Sequence, residues 1–128
     1  MARITIIPLF LGKSLSAGDS GTSDIVDLRY ISNRGVFSLA HRITAGTSTT
    51  CGTTTFSYVG CSMKDGVFVS ANPAASSSGT IGTSGPTITG LITPFTPAVT
   101  PFVKIIATQT GAGTAGANSV VAAELIVQ

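Results

Sequence analysis

The sequence predicts an all-β fold: a single-domain antiparallel β-sandwich of about eight strands, jelly-roll or immunoglobulin-like, with an extended N-terminal arm. Three observations carry that expectation. Apolar and polar residues alternate with a period of two in several short segments, which is the periodicity of strands. Turn residues punctuate the chain about every 8–12 residues, as in sandwiches and barrels. The length of 128 residues suits one domain spanning 1–128, because domains typically hold roughly 100–150 residues.

The elements follow in order. Residues 1–12 read as an extended arm or an edge strand. Ile4 to Phe10 is an apolar, β-branched run, but Pro8 interrupts it, and proline is confined to sheet edges, strand ends or bulges. Lys13 to Ser23 reads as a loop, Asp24 to Ile31 as a strand, and Ser32 to Gly35 as a turn. Val36 to Thr44 alternates cleanly, with Phe37, Leu39, His41 and Ile43 on one face and Ser38, Ala40 and Arg42 on the other. Thr53 to Cys61 is the next strand. Met63 to Gly66 signals a hairpin, because Asp-Gly favours a type I′ turn, and Val67 to Ser70 would be its second arm. Residues 72–86 form a Ser/Gly-rich stretch expected to be a flexible loop.

Thr87 to Ile92 reads as a strand, Thr93 to Pro97 as an extended Pro-rich connection, and Pro101 to Thr108 as a strand. Gly111 to Ser119 reads as a glycine-rich turn. The last segment, Val120 to Gln128, contains the helix formers Ala, Glu and Leu, but its β-branched ends favour a strand.

Composition narrows the function. Charged residues are 9% of the chain and hydrophobic ones 43%, against about 25% charged in an average soluble domain. A surface this poor in charge suits a protein covered by copies of itself or by a partner. The formal net charge of +2 and the scattered basic residues do not suit nucleic-acid binding, which draws its affinity from neutralising several phosphates. No apolar run approaches the roughly 20 residues of a membrane span. The N-terminal apolar stretch resembles a signal peptide weakly, since Pro8 breaks it and its basic region is a single Arg.

Candidate chemical motifs each fail a geometric requirement. Gly111 to Gly116 matches the spacing of a dinucleotide-binding loop, but no room remains for the helix and acidic residue that chemistry needs. Gly12-Lys13-Ser14 lacks the first glycine of a phosphate-binding loop. His41 is the one histidine and sits mid-strand on an apolar face, a packing position. No Ser lies in a nucleophile elbow. Asp24 and Asp27, three apart in a strand, would point to opposite faces and could not share acid and base roles; with Arg29, Arg34 and Arg42 they read as ion pairs in one hairpin. Cys51 and Cys61 flank a strand of about 33 Å, whereas bridged Cα atoms lie within about 7 Å. Two reduced thiols are expected, and two cysteines without a histidine cluster make no zinc site. The expectation is a chain with no catalytic residues, no cofactor, no metal and no small-molecule substrate.

The stretch from Asp24 to Gly46 is similar to a signature of small proteins encoded among the head genes of tailed bacteriophages. That pattern pairs an I-x-D-L strand with a G-x-F-S-L strand and a following x-G turn. Ser62 to Val69 (SMKDGVFV) fits the hairpin of the same pattern, and Leu125 to Gln128 fits its C-terminal strand. The likeness spans most of the chain, and its motifs are structural. It implies a β-sandwich virion protein that decorates the capsid, binding the outer surface of the major capsid protein lattice and stabilising the head. Such a protein is made in the host cytoplasm and ends on the capsid surface. Its partners would be the major capsid protein and itself, as a trimer at local three-fold sites.

The residues expected at an interface are Arg3, Ile4, Ile6, Ile7, Leu9 and Phe10, on an arm that adds to a neighbouring sheet edge, together with Arg29 and Arg34. The alternative is a tail or fibre module that recognises a host surface ligand. That reading needs an exposed aromatic platform, and aromatics are 6% of the chain with no Trp.

Overall fold

A computed structural model describes residues 3–16, 18–31, 36–45, 53–70, 77–80, 88–95, 100–110 and 118–128. They form strands β1 (Thr5–Ser16), β2 (Ser20–Thr22), β3 (Val26–Asp27), β4 (Phe37–Ala45), β5 (Thr53–Cys61), β6 (Val69–Ser70), β7 (Ser77–Thr80), β8 (Ile88–Phe95), β9 (Phe102–Thr110) and β10 (Asn118–Val127). The strands make two antiparallel sheets. The first has the order β1-β10-β4-β8, and the second runs β2-β9-β5-β6. β3 follows β2 along the same flank of β9, and β7 shares with β6 the outer flank of β5. Both sheets are therefore four ribbons wide.

This order decides between the two sandwich types. The first strand, at the edge of one sheet, pairs with the last, and successive ribbons cross repeatedly between sheets. That is the double Greek key of a jelly roll. An immunoglobulin-like sheet would not place β1 beside β10.

The alternation read from the sequence in Val36 to Thr44 matches the inward face of β4. Leu39, His41 and Ile43 of β4 and Val121, Ala123, Leu125 and Val127 of β10 are buried beneath the first sheet. Thr54, Phe56 and Tyr58 of β5 and Val103, Ile105, Ala107 and Gln109 of β9 are buried beneath the second. The hydrophobic contribution of one such Leu, Ile or Phe is about 1.5–3 kcal/mol. The core ties sequence-distant strands together, so β-branched local propensity alone could not have placed them.

Several boundaries differ from expectation, each for an identifiable reason. Residues 1–12 are not a free arm beyond Ile4, because β1 pairs with β10 along its whole length. The register shifts between Pro8 and Phe10 and again between Leu11 and Lys13. Proline sits at an edge beside a bulge, as its missing N–H requires, and Gly12 supplies the positive φ of 111° at the second irregularity. The expected loop from Lys13 to Ser23 contains the end of β1 and all of β2.

The expected strand from Asp24 to Ile31 shrinks to β3. Upstream, the buried hydroxyl of Ser23 accepts a hydrogen bond from the Ile105 N–H at 2.9 Å, in place of a backbone carbonyl. Downstream, the Asp27 carboxylate accepts the Arg29 N–H at 3.1 Å, a local Asp turn that bends the chain out of the sheet. β3 and β4 lie in different sheets, so Asp24 to Arg42 is not one hairpin, and the I-x-D-L and G-x-F-S-L segments do not pair with each other.

The hairpin after β5 exists, since β6 pairs with β5. Its second arm is only Val69–Ser70, and its turn is not type I′: among the described residues no non-Gly residue has positive φ, and Gly66 has none either. A turn closed by the Gly66 N–H on the Met63 carbonyl at 3.0 Å takes its place. Within the expected 72–86 loop, Ser77–Thr80 is strand β7, and the rest lies outside the described residues. β8 runs on through the Pro-rich segment to the buried Phe95, with Pro94 tolerated because β8 is an edge strand. The link over 111–117 joins strands of opposite sheets, so it is not a hairpin turn; its glycine motif lies outside the described residues.

Gly60 marks a tight approach between strand β5 and the segment before β9. A Cβ there would fall 2.8 Å from Cγ2 of Thr100. The Thr100 hydroxyl donates to the carbonyl of Cys61 at 3.0 Å, a bond that a shift of the side chain would strain. Gly60→Ala is expected to destabilise the protein by about 1–3 kcal/mol, read as a lower midpoint in urea unfolding. An unchanged midpoint would show that the contact relaxes freely.

Candidate functional site

The register places the sequence-predicted interface residues in three different settings. Phe10 is 5% exposed and belongs to the core. Ile7 and Leu9 are partly buried and pack against it. These three therefore hold β1 to its own sandwich, and they leave the set of surface candidates. Ile6 is 64% exposed and faces outward from the first sheet. Arg3 and Ile4 are exposed just before β1, and Arg29 is exposed after β3. Arg34 lies outside the described residues.

Arg3, Ile4 and Arg29 lie at the same end of the sandwich. Thr5 is paired with Val127, Phe37 with Phe95, and Asp27 with Phe102, so the chain leaves all these strands at the same end. Tyr30, Val36, Met63 and Val67 are exposed there too, Tyr30 at 86% and Val67 at 83%. Sequence reasoning missed these four because nothing in their local pattern separates a solvent-facing apolar loop residue from a buried one.

Arg29 organises part of this end. Its guanidinium bonds the Asp27 carboxylate at 2.7 Å and lies over the rings of Phe102 and Tyr30, at 4.9 Å and 5.3 Å from their centroids. The side-chain bond from Arg29, followed by its backbone N–H, holds Asp27 down to a pKa of about 2. Both groups are solvent-facing, so the pair orients the loop more than it stabilises the fold. Lys104 similarly lies 4.3 Å over the Phe68 ring. A cleft of about 300 Å³ opens beside these residues, lined by Tyr58, Gly60, Cys61, Val67, Val69 and Thr100 among others. Cys61 carries a free thiol, whose sulfur accepts the Met63 N–H at 3.5 Å. Cys51 lies outside the described residues.

The outer faces of the two sheets differ in chemistry. The second sheet presents hydroxyls, such as Ser20 and Thr108, which bond each other at 2.9 Å. The first sheet presents apolar side chains at both edges, Leu11 at 87% and Ile92 at 71% exposed. Its centre holds one ion pair, Arg42 to Glu124 at 3.1 Å.

His41 is 2% exposed and stacks at 4.6 Å on Phe56 across the sandwich. Neither ring nitrogen has a hydrogen-bond partner among the described residues, and burial pushes its pKa below the usual 6.5. It sits in the apolar core position the alternation predicted. No group of three His, Cys, Asp or Glu residues arranged to hold a metal occurs among the described residues, and no described helix is long and apolar enough to cross a membrane.

No family model matches the sequence, and no curated protein matches it. Among solved structures, the chain is similar to one described as the structure of infectious bursal disease virus, Gx strain, at 14% identity and a TM-score of 0.41. The match covers 97% of this chain and 31% of that one, so this chain spans about a third of its neighbour. A likeness this distant carries no functional argument. The class of protein is defined by its own strand order: an eight-ribbon jelly-roll sandwich.

Proposed function

We propose that this chain is a virion structural protein and not an enzyme, a capsid decoration protein that binds the outer surface of a major capsid protein lattice and stabilises the head. The observation that carries the reading is the jelly-roll strand order, an architecture used repeatedly by viral capsid domains. The contact with the lattice is assigned to the end of the sandwich that bears Arg3, Ile4, Arg29 and Tyr30, where exposed apolar side chains and cations converge. Aromatic and Arg residues are the ones enriched in the energetic centres of interfaces.

A second reading rests on Tyr30 beside Arg29: an exposed aromatic and a cation also suit a tail or fibre module that contacts a host ligand. Electron microscopy of particles with and without the protein separates the two. Density repeated over the whole head lattice is expected for decoration. Density confined to the tail would establish the alternative, and no density on particles would remove both. Arg29→Ala with Tyr30→Ala is expected to strip the protein from heads while leaving its unfolding transition in place.

A further inference from the structure

We infer that the outer face of the first sheet is a two-fold interface with a second copy of this chain. The argument starts from register. Three cross-strand rows cover this face: Ile6, Ile126, Ser38 and Pro94; then Pro8, Glu124, Ala40 and Ile92; then Leu11, Ala122, Arg42 and Gly90. The two edges are apolar and exposed, and the two charges sit on the central strands β10 and β4.

A two-fold axis parallel to the strands, passing between β10 and β4, keeps each row at its height and reverses the strand order. β1 of one copy then lies over β8 of the other. Ile6 meets the second copy's Pro94, Pro8 meets its Ile92, and Leu11 stands over its Gly90, a large side chain facing a position with none. β4 lies over the second copy's β10. Arg42 comes over Ala122 and reaches two residues along, to the next outward-facing position, Glu124, the same diagonal step that joins the two within one chain. The face is thus complementary to itself in shape and in charge, as an isologous interface requires. Two sheets packed this way lie about 10 Å apart with nearly aligned strands.

The choice of a second copy follows from the charge pair. A face carrying one cation and one anion on neighbouring central strands matches itself under this rotation with no like charges opposed. It also explains why large apolar residues are tolerated on the outside of a sheet in a chain with so few charges. The association is two-fold, in place of the three-fold closure expected from the sequence. It uses a different surface from the proposed lattice contact and does not depend on the virion reading, since it is measured on the isolated protein.

The test is the solution mass of the purified chain at tens of micromolar, by sedimentation or light scattering. The wild type is expected at twice the chain mass of 12.8 kDa. Arg42→Glu alone and Glu124→Arg alone each oppose like charges across the axis, and each is expected to weaken association by about a hundredfold. Mixing these two variants in equal amounts is expected to restore the dimer, because each then meets opposite charge. A role confined within one chain would give no such rescue. Ile92→Asp, on an exposed edge position, is a second variant that is expected to be monomeric while it retains its unfolding transition. A monomeric or trimeric wild type, or folded single variants that remain dimeric, would overturn the inference.

Discussion

Truncation of residues 1–10 is expected to unfold the protein. Of the two readings the sequence left open, an extended arm and an edge strand, the structure has the edge strand. In the structure this segment contributes Phe10 to the core and packs Ile7 and Leu9 against it. It also covers the edge of β10 from Glu124 to Val127. Loss of a buried Phe side chain alone costs about 3–5 kcal/mol, against a total of about 5–15 kcal/mol for a domain. Removing this half of β1 also leaves unpaired backbone groups along the central strand β10 and loses the apolar contacts of Ile7 and Leu9. Circular dichroism during heating is expected to show no cooperative transition for the truncated chain. The control is Arg3→Ala, an exposed position before β1, expected to stay within about 0.5 kcal/mol of wild type. A truncated chain that melts cooperatively near the wild-type temperature would mean that β1 contributes little to the core.

His41 is expected to make the protein acid-sensitive. The residue is held neutral between the sheets, against Phe56, with no described hydrogen-bond partner for either nitrogen. Its inward-facing neighbours along β4 and across on β10, Leu39, Ile43 and Ala123, are buried and apolar, so none of them offsets a proton. Burial lowers its folded pKa below 6.5, which means the unfolded chain binds the proton more readily. Stability is therefore complete above the unfolded value and falls as the pH drops below it. The slope approaches about 1.4 kcal/mol per pH unit between the unfolded and folded pKa values.

Asp27 acts in a separate window, because its pKa is depressed from 3.8: its contribution is present above 3.8 and fades only as the pH falls below that. Urea unfolding from pH 8 to pH 5 separates the two groups. His41→Leu, an apolar side chain of similar size, is expected to flatten the profile in this range and to raise stability at pH 5, since it removes a buried polar group that lacks a partner. A profile that keeps the wild-type slope in this variant would assign the acid sensitivity to another group.

The central strand β4 was legible from the sequence because its inward and outward residues differ at every step. In β4, Leu39, His41 and Ile43 alternate with Ala40 and Arg42; β10, whose two faces are both largely apolar, was legible only from its β-branched ends. The short strands were not legible. β2 is Ser-Gly-Thr and β7 is Ser-Ser-Gly-Thr, compositions that read as loop, and each exists because a long neighbour, β9 or β5, offers it unpaired backbone groups. β3 failed in the other direction: its apolar residues suggest a longer strand, but Ser23 and Asp27 divert the backbone with their side chains. The candidate surfaces followed the same division. Arg3, Ile4 and Ile6 were found as part of the apolar N-terminal segment and Arg29 as one of the charges after Asp24, whereas Tyr30, Met63 and Val67 emerged only from the position of their loops.

By itself the sequence determined that this is an all-β sandwich with its core on the alternate residues of a few strands. That information is local, carried by a two-residue period and by turn chemistry. The tertiary structure decided which sandwich it is, that the N-terminal segment is an integral edge strand, and that Arg42 and Glu124, 82 residues apart, share the centre of an apolar face. Those are properties of strand order and register. They depend on contacts between residues far apart in the chain, and no local pattern encodes them.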